Sequence, residues 1–402
     1  MTPGGGNLAA AYEIAEPGDT LQLAPGDYYG PLHIKKALTV RGAAGAAIIG
    51  PGEGSVIIVD APDVVISSLR ITGSGSLHQN NDAGVKLTQT AARAVVEDNH
   101  LIGNLVGVDV HGAVDAQVRN NTIEGRTDHR MNDRGNGVYV WNSPGAVVEG
   151  NYITKGRDGI FVNTSRNNVF RDNRIENLRF AIHYMYANDS EISGNVSVGN
   201  HLGFALMFSS GLTIRRNISI GDRNYGIMLN YTNSSMIEEN FVKDGHEKCL
   251  FMYNANKNTL RGNRFEGCAI GIHFTAGSDR NKVYENAFVG NRIQVKYVGT
   301  KDHNWSVEGK GNFWSDNAAF DINGDGIADQ TYRPNDIIDK ILWTQPSAGL
   351  LLGSPAVQLV RWAQSSFPSL LPGGIIDTAP LMRAIEIPMS DRAAATQTGA
   401  GG

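Results

Sequence analysis

The chain has 402 residues, a formal net charge of −5 and only 19% charged residues, so it lacks the basic footprint of a nucleic-acid binder. With 48 Gly against 14 Pro it reads as a folded chain full of tight turns, long enough for one large or two ordinary domains. Two cysteines, Cys249 and Cys268, are too few for a disulfide framework, and no run of about 18 apolar residues marks a membrane span.

The start, "MTPGGG", has neither a charged n-region nor an apolar h-region. If the chain is exported, its signal peptide is expected to lie outside this sequence. Downstream, asparagine recurs at 99, 121, 151, 173, 195, 217, 240, 263 and 286. The steps are 22 or 23 residues except for one of 30, where the segment "TDHRMNDR" (127–134) adds eight. This period predicts an all-β, right-handed parallel β-helix, one coil per repeat, over residues 1–316, with 127–134 as an insertion loop. The repeated asparagines read as a structural ladder at a turn, since Asn tolerates left-handed backbone and bonds locally.

Within each coil a five-residue segment aligns, from "GVKLT" at Gly84 through "AIHYM" at Ala181 to "GIHFT" at Gly271. Its second and fourth positions are apolar throughout, such as Ile182/Tyr184 and Phe204/Leu206, and face the interior. The third and fifth positions then face outward. On that face His183 and Met185 share one strand, Met207 follows Met185 one coil later, and Met228 lies two coils from His183 across the small Ala205. Thioether and imidazole together suit Cu(I), which makes His183, Met185, Met207 and Met228 the first candidate metal site. His273 in the same column, and His129 and Met131 in the insertion loop, are second choices. Two other readings compete for this face, which also carries Trp141, Phe161, Tyr186, Tyr231, Phe251 and Tyr253. It could be a protein interface, or a carbohydrate-binding or polysaccharide-modifying surface of lyase or epimerase type. The enzymatic version lacks the paired carboxylates such chemistry uses, because Asp109 stands alone on the central columns.

Residues 317–336 break the period. Asp321, Asn323, Asp325, Gly326 and Asp329 match most of an acidic Ca²⁺ loop, but Tyr332 occupies its last ligand position; calcium and a metal-free Asx turn both remain open. Residues 337–390 are apolar and Pro-broken, with Ser354 and Pro355 placed to start an amphipathic helix. Trp343, Leu351, Leu359, Trp362 and Phe367 make this stretch a candidate partner-docking segment. The tail 391–402 is expected to be disordered.

The strings "GNFWSDN", "FDINGDGIADQTYRPND", "LLGSPAVQLVRWAQSSFPSLLPGGIIDTAPL" and "RAIEIP", on top of the 22-residue coils, resemble the NosD family, periplasmic maturation proteins of nitrous oxide reductase. The resemblance runs over nearly the whole chain from "PGDTLQLAPGDYYGPLHI" onward. It implies a periplasmic location and assembly with a membrane permease and a cytoplasmic ATPase in an ABC-type complex. It also implies handling of copper, as Cu(I), between a copper chaperone and the reductase. ATP hydrolysis is then expected in a partner, since the chain has no G-x-x-x-x-G-K-[ST] segment and is not itself expected to be an enzyme.

Overall fold

The computed structural model describes residues 7–299, 301–335, 337–351, 354–366 and 374–387. They form a parallel β-solenoid with three long sheets of 12, 13 and 12 strands, each strand pairing with its counterpart one coil away. The first sheet runs from Thr20–Leu23 to Lys282–Tyr284, the second from Gly26–Tyr29 to Phe313–Trp314, and the third from Leu32–Ile34 to Ile293–Val298. In the central coils the first two sheets use strands of 3 residues, such as Glu191–Ser193, whereas the third uses 6, such as Phe180–Met185. The broad outer face that carries the candidate metal site is therefore the third sheet.

The inward alternation holds throughout. Ile182, Tyr184, Phe204, Leu206, Ile227, Leu229, Leu250 and Met252 are all fully buried in one continuous core. The asparagine ladder is also as the repeat predicts, with one difference. The left-handed residue is not the ladder asparagine but the one before it: Asp98, Asn120, Gly150, Asp172, Gly194, Arg216, Glu239, Gly262 and Glu285 all have positive φ. The turn so formed points the following Asn inward. Its Oδ1 accepts both the amide and the side-chain N–H of the previous ladder asparagine, as Asn217 does for Asn195 at 3.1 and 3.0 Å. Its own Nδ2 donates to a strand carbonyl of the preceding coil, Ile192 in the case of Asn217.

Both ends of the solenoid are closed. The helix Asn7–Ile14 covers the first coil through Leu8, which is buried. At the other end Trp305 and Trp314 are buried, Trp314 stacking on Phe288 at 4.4 Å. Within the 337–390 stretch two pieces behave differently. The helices Ile337–Thr344 and Pro355–Ser366 are separate short elements. Residues 374–387 return to the solenoid: Ile375–Ile376 pairs with His303–Asn304. Asp377 then accepts the amide of Asn312 at 2.7 Å and the Trp314 indole N–H at 2.8 Å. Ile387 packs on the outer ridge of Val196, Ile218 and Phe241, and Arg264 donates to the Ile385 carbonyl.

The cysteines differ from expectation. Two are too few for a framework, yet Cys249 and Cys268 form one buried disulfide, Cα–Cα 5.7 Å, tying neighbouring coils. The tail 391–402 lies outside the described residues.

If the ladder holds the coils, Asn217→Ala leaves the Asn195 donors unpaired in the core. Urea unfolding should show a loss of about 2–4 kcal/mol; a loss below about 0.5 kcal/mol would show that the ladder contributes little.

Candidate metal site

Strand register brings the first candidate set together as the sequence alignment places it. Met185 pairs with Met207 on the next strand, and His183 with Ala205, which in turn pairs with Met228. Side chains in register on adjacent parallel strands lie roughly 4.8 Å apart. Met185 and Met207 are half-buried. Met228 is less open than an outward position suggests: at 9% exposure it is packed with Leu202 and Ala205, and Met207 packs on the same cluster beside Phe180, Tyr225 and Phe251. The outer face thus carries its own small apolar layer, and Met228 forms the floor of the site. His183 keeps 12% side-chain exposure between the Phe161 ring at 4.7 Å and the Phe180 ring at 4.9 Å.

The sequence pattern did not single out the charges beneath this histidine. Asp158, fully buried, takes two hydrogen bonds from the Arg179 guanidinium, at 2.8 and 2.6 Å, and faces His183 Nδ1 at 3.2 Å. Burial alone would push the Asp158 carboxyl up, but the His183 and Arg179 hydrogen bonds and the charge on both hold it below the usual carboxylate value. Arg157, 3.8 Å from Asp158, is itself pushed down by burial. The signal in the sequence was available: Asp158 stands where the following coils place Phe180, Leu202 and Tyr225.

A second charge group lies farther up the face. Asp109 is fully buried with neither carboxylate oxygen hydrogen-bonded, Lys86 Nζ is 3.4 Å away, and His111 Nδ1 3.9 Å. His111 stacks on Trp141 at 4.3 Å. Burial pushes Asp109 up to about 7 against the pull of Lys86. A carboxyl sealed from solvent cannot reach a polymer, so this group is not an acid–base centre for sugar chemistry.

The second-choice residues are not brought to the first set. His273 follows Phe251 in the column, four strands from His183, with its Nδ1 buried and unpartnered. Burial, then the charges of Lys248 and Lys296, lower it to about 4, so it is a neutral imidazole at neutral pH. His129 and Met131 sit on the insertion loop, which docks through Asp133 to His78 at 3.0 Å, before the strand Val138–Trp141 two coils from His183. Among the described residues no group of three or more His, Cys, Asp or Glu side chains is placed to hold a metal ion.

The calcium expectation finds no support. Asp321 accepts the amides of Gly324, Asp325 and Gly326, Asp325 that of Ile327, and Asp329 that of Ile322. Together with Asn323, which donates to Asp325, they build a self-satisfied Asx turn. Of the docking candidates, Leu351, Leu359 and Trp362 are exposed and Trp343 is half-buried. Phe367 lies outside the described residues.

The aromatic strip also takes a definite form. Tyr186, Phe208 and Tyr231 stack at 5.1 and 5.2 Å with planes 15° and 11° apart, and Tyr253 meets Tyr231 edge-on. Tyr139 covers Phe161 in the same way. All four rings of this strip keep exposed surface, Tyr186 at the end of the stack the most, at 53%.

A family model described as "Periplasmic copper-binding protein (NosD)" matches residues 119–319, the part that holds the whole Met/His face. The chain is 40% identical over 376 residues to the "Probable ABC transporter binding protein NosD" of Stutzerimonas stutzeri, covering 90% of this chain and 86% of that one. The chain belongs to the NosD family. The Pseudomonas aeruginosa protein of the same name is 39% identical over 94% of this chain and 93% of its own. A model of unknown function, DUF1565, matches residues 7–211. Among solved structures, the surface adhesin PfbA of Streptococcus pneumoniae gives a TM-score of 0.56 at 11% identity over 72% of this chain and 86% of that one. An alginate lyase of family PL6 gives 0.50 at 13% over 76% and 85%. These share the fold alone. The curated NosD relatives are named as binding proteins rather than enzymes, and the family is described as periplasmic. No helix among the described residues is long and apolar enough to cross a membrane.

The Asp109 carboxyl gives a pH prediction. Its folded value of about 7 lies above the ordinary 3.8, so the folded chain holds a proton that the unfolded chain has released, and stability falls as pH rises between these values. Asp109→Asn should be near neutral at pH 4 and stabilising by up to about 4 kcal/mol at pH 8. Thermal melts of both proteins at the two pH values check it; equal effects at both would show that Asp109 is not destabilised by burial.

Proposed function

We propose that the chain binds and passes Cu(I) in the periplasm as the copper-handling component of an ABC-type complex that supports metal-site maturation of nitrous oxide reductase. The observation that carries this reading is the in-register pair Met185 and Met207 beside His183. Two thioethers and one imidazole give a soft donor set that binds a univalent copper ion well and Mg²⁺ or Zn²⁺ poorly. Met228, which shares an apolar cluster with Met207, is the candidate fourth donor. The Phe161 and Phe180 rings flank His183, and Tyr225 and Phe251 pack on the Met207–Met228 cluster. Copper is cargo here, taken from a copper chaperone and given to the reductase. ATP hydrolysis belongs to a cytoplasmic ATPase acting through a membrane permease. In competition with a chromophoric Cu(I) chelator, Met185→Ala/Met207→Ala should lose at least about tenfold in affinity, as for loss of ligands from a soft site; equal retention by variant and wild type would sink the assignment.

The permease contact is assigned to the short helices. Leu359 and Trp362 keep 64% and 62% exposure on Pro355–Ser366, and Leu351 precedes that helix at 59%. Because 374–387 closes the solenoid end, the docking role is tested without truncation. Leu359→Glu/Trp362→Glu should leave the melting temperature within about 2 °C, as surface changes do, and abolish co-purification with the permease. Undiminished co-purification would remove these residues from the interface.

A further inference from the structure

The Asp158–Arg179–His183 group asks why a carboxylate occupies a column that the next three coils fill with Phe180, Leu202 and Tyr225. Burying a carboxylate is costly unless it is fully engaged, and an apolar residue there would pack as its neighbours do. The partners explain what the charge does. Arg179 grips both oxygens in a fork, which fixes the carboxylate plane and matches its charge. The Arg179 guanidinium is in turn held over the Phe180 ring at 4.6 Å. Asp158 Oδ2 also faces His183 Nδ1, at hydrogen-bond distance (3.2 Å), while Arg157 Nε stands 3.8 Å from the same oxygen without a hydrogen bond.

A carboxylate can only accept, so Nδ1 of His183 carries the proton and donates it. In the neutral ring the lone pair is then on Nε2. Phe161 lies against one side of the ring and Phe180 meets it edge-on, so rotation is restricted. The nitrogen free to bind a metal is thus set before any metal arrives. Resting on the Cu(I) reading above, we propose that Asp158, clamped by Arg179, is a positioning residue for the copper site: it holds the Nδ1–H of His183 and presents Nε2 toward Met185 and Met207. Such outer partners of a ligating histidine are typically worth about 10–100-fold in metal affinity.

The test compares the wild-type chain, Asp158→Asn, His183→Ala and the Asp158→Asn/His183→Ala double variant in Cu(I) chelator competition, with urea unfolding as a control of the fold. Asp158→Asn should weaken Cu(I) binding by about 10–100-fold, and add no further loss once His183 is gone. An equal loss with and without His183 overturns the proposal, because Asp158 would then act through the fold generally. Wild-type affinity in Asp158→Asn also overturns it. A measurement on the unsubstituted copper-free chain stands beside these: long-range ¹⁵N–¹H correlation should show His183 protonated at Nδ1, and an Nε2–H tautomer overturns the proposal even if the variants fail to fold. If the Met185→Ala/Met207→Ala variant retains copper as the wild type does, the copper assignment itself fails; if only Asp158→Asn binds normally, that assignment stands and the positioning role falls.

Discussion

The inward amide ladder is the constraint on which the rest of the solenoid depends. From the Leu69 amide, bonded to Asn99, through Asn121, Asn151, Asn173, Asn195, Asn217, Asn240, Asn263 and Asn286 to Asn312, each side chain accepts from the coil before it. These groups sit in a core where an unpaired donor costs about 1–3 kcal/mol, so a coil cannot slip without breaking several bonds at once. The ladder needs an acceptor at its last step, and Asp377 supplies it from a segment 65 residues beyond Asn312. A strictly repetitive structure is thereby finished by a part of the chain that does not repeat.

With the register fixed inside, the outer face of the third sheet becomes a place where side chains can be set at known intervals. Apolar residues dominate its middle, and the buried carboxylate among them, Asp158, is paired with Arg179. Asp109 is the exception, a carboxyl with no hydrogen bond whose burial raises its proton affinity. It is expensive for the fold and has no exposed surface through which to act on a polymer. The NosD family assignment and the soft donors at Met185 and Met207 agree with each other without needing that group.

The period of 22 or 23 residues made the coil legible, because one constraint, the inward Asn, repeats at one spacing. The pairing of Met185 with Met207 followed from that period alone. The burial of Met228 did not, since a second apolar layer outside the coil depends on Tyr225 of its own strand, Phe251 of the next and Phe180 two strands back. Asp158 was missed because a charge at the start of a strand resembles an ordinary turn residue until the register shows it in a column with Phe180, Leu202 and Tyr225. The Cys249–Cys268 bridge spans 19 residues, less than one coil, so no repeat-based pattern marks it. The acidic loop carried a recognisable ligand spacing, and its carboxylates also accept the loop's own amides, which spacing cannot reveal.

The finished ladder also makes the molecule a graduated ruler. Its length is set in whole coils of roughly 4.8 Å, and every division is bounded by the same Asn contacts. A coil gained or lost beyond Tyr253 would carry the closing segment and the two short helices forward or back by one division. The Met/His face would stay as it is, since it depends only on strands between Asp158–Asn163 and Lys248–Tyr253. Distance between the Met/His face and the closing end is therefore a variable that evolution can adjust in fixed increments, separately from the chemistry of that face.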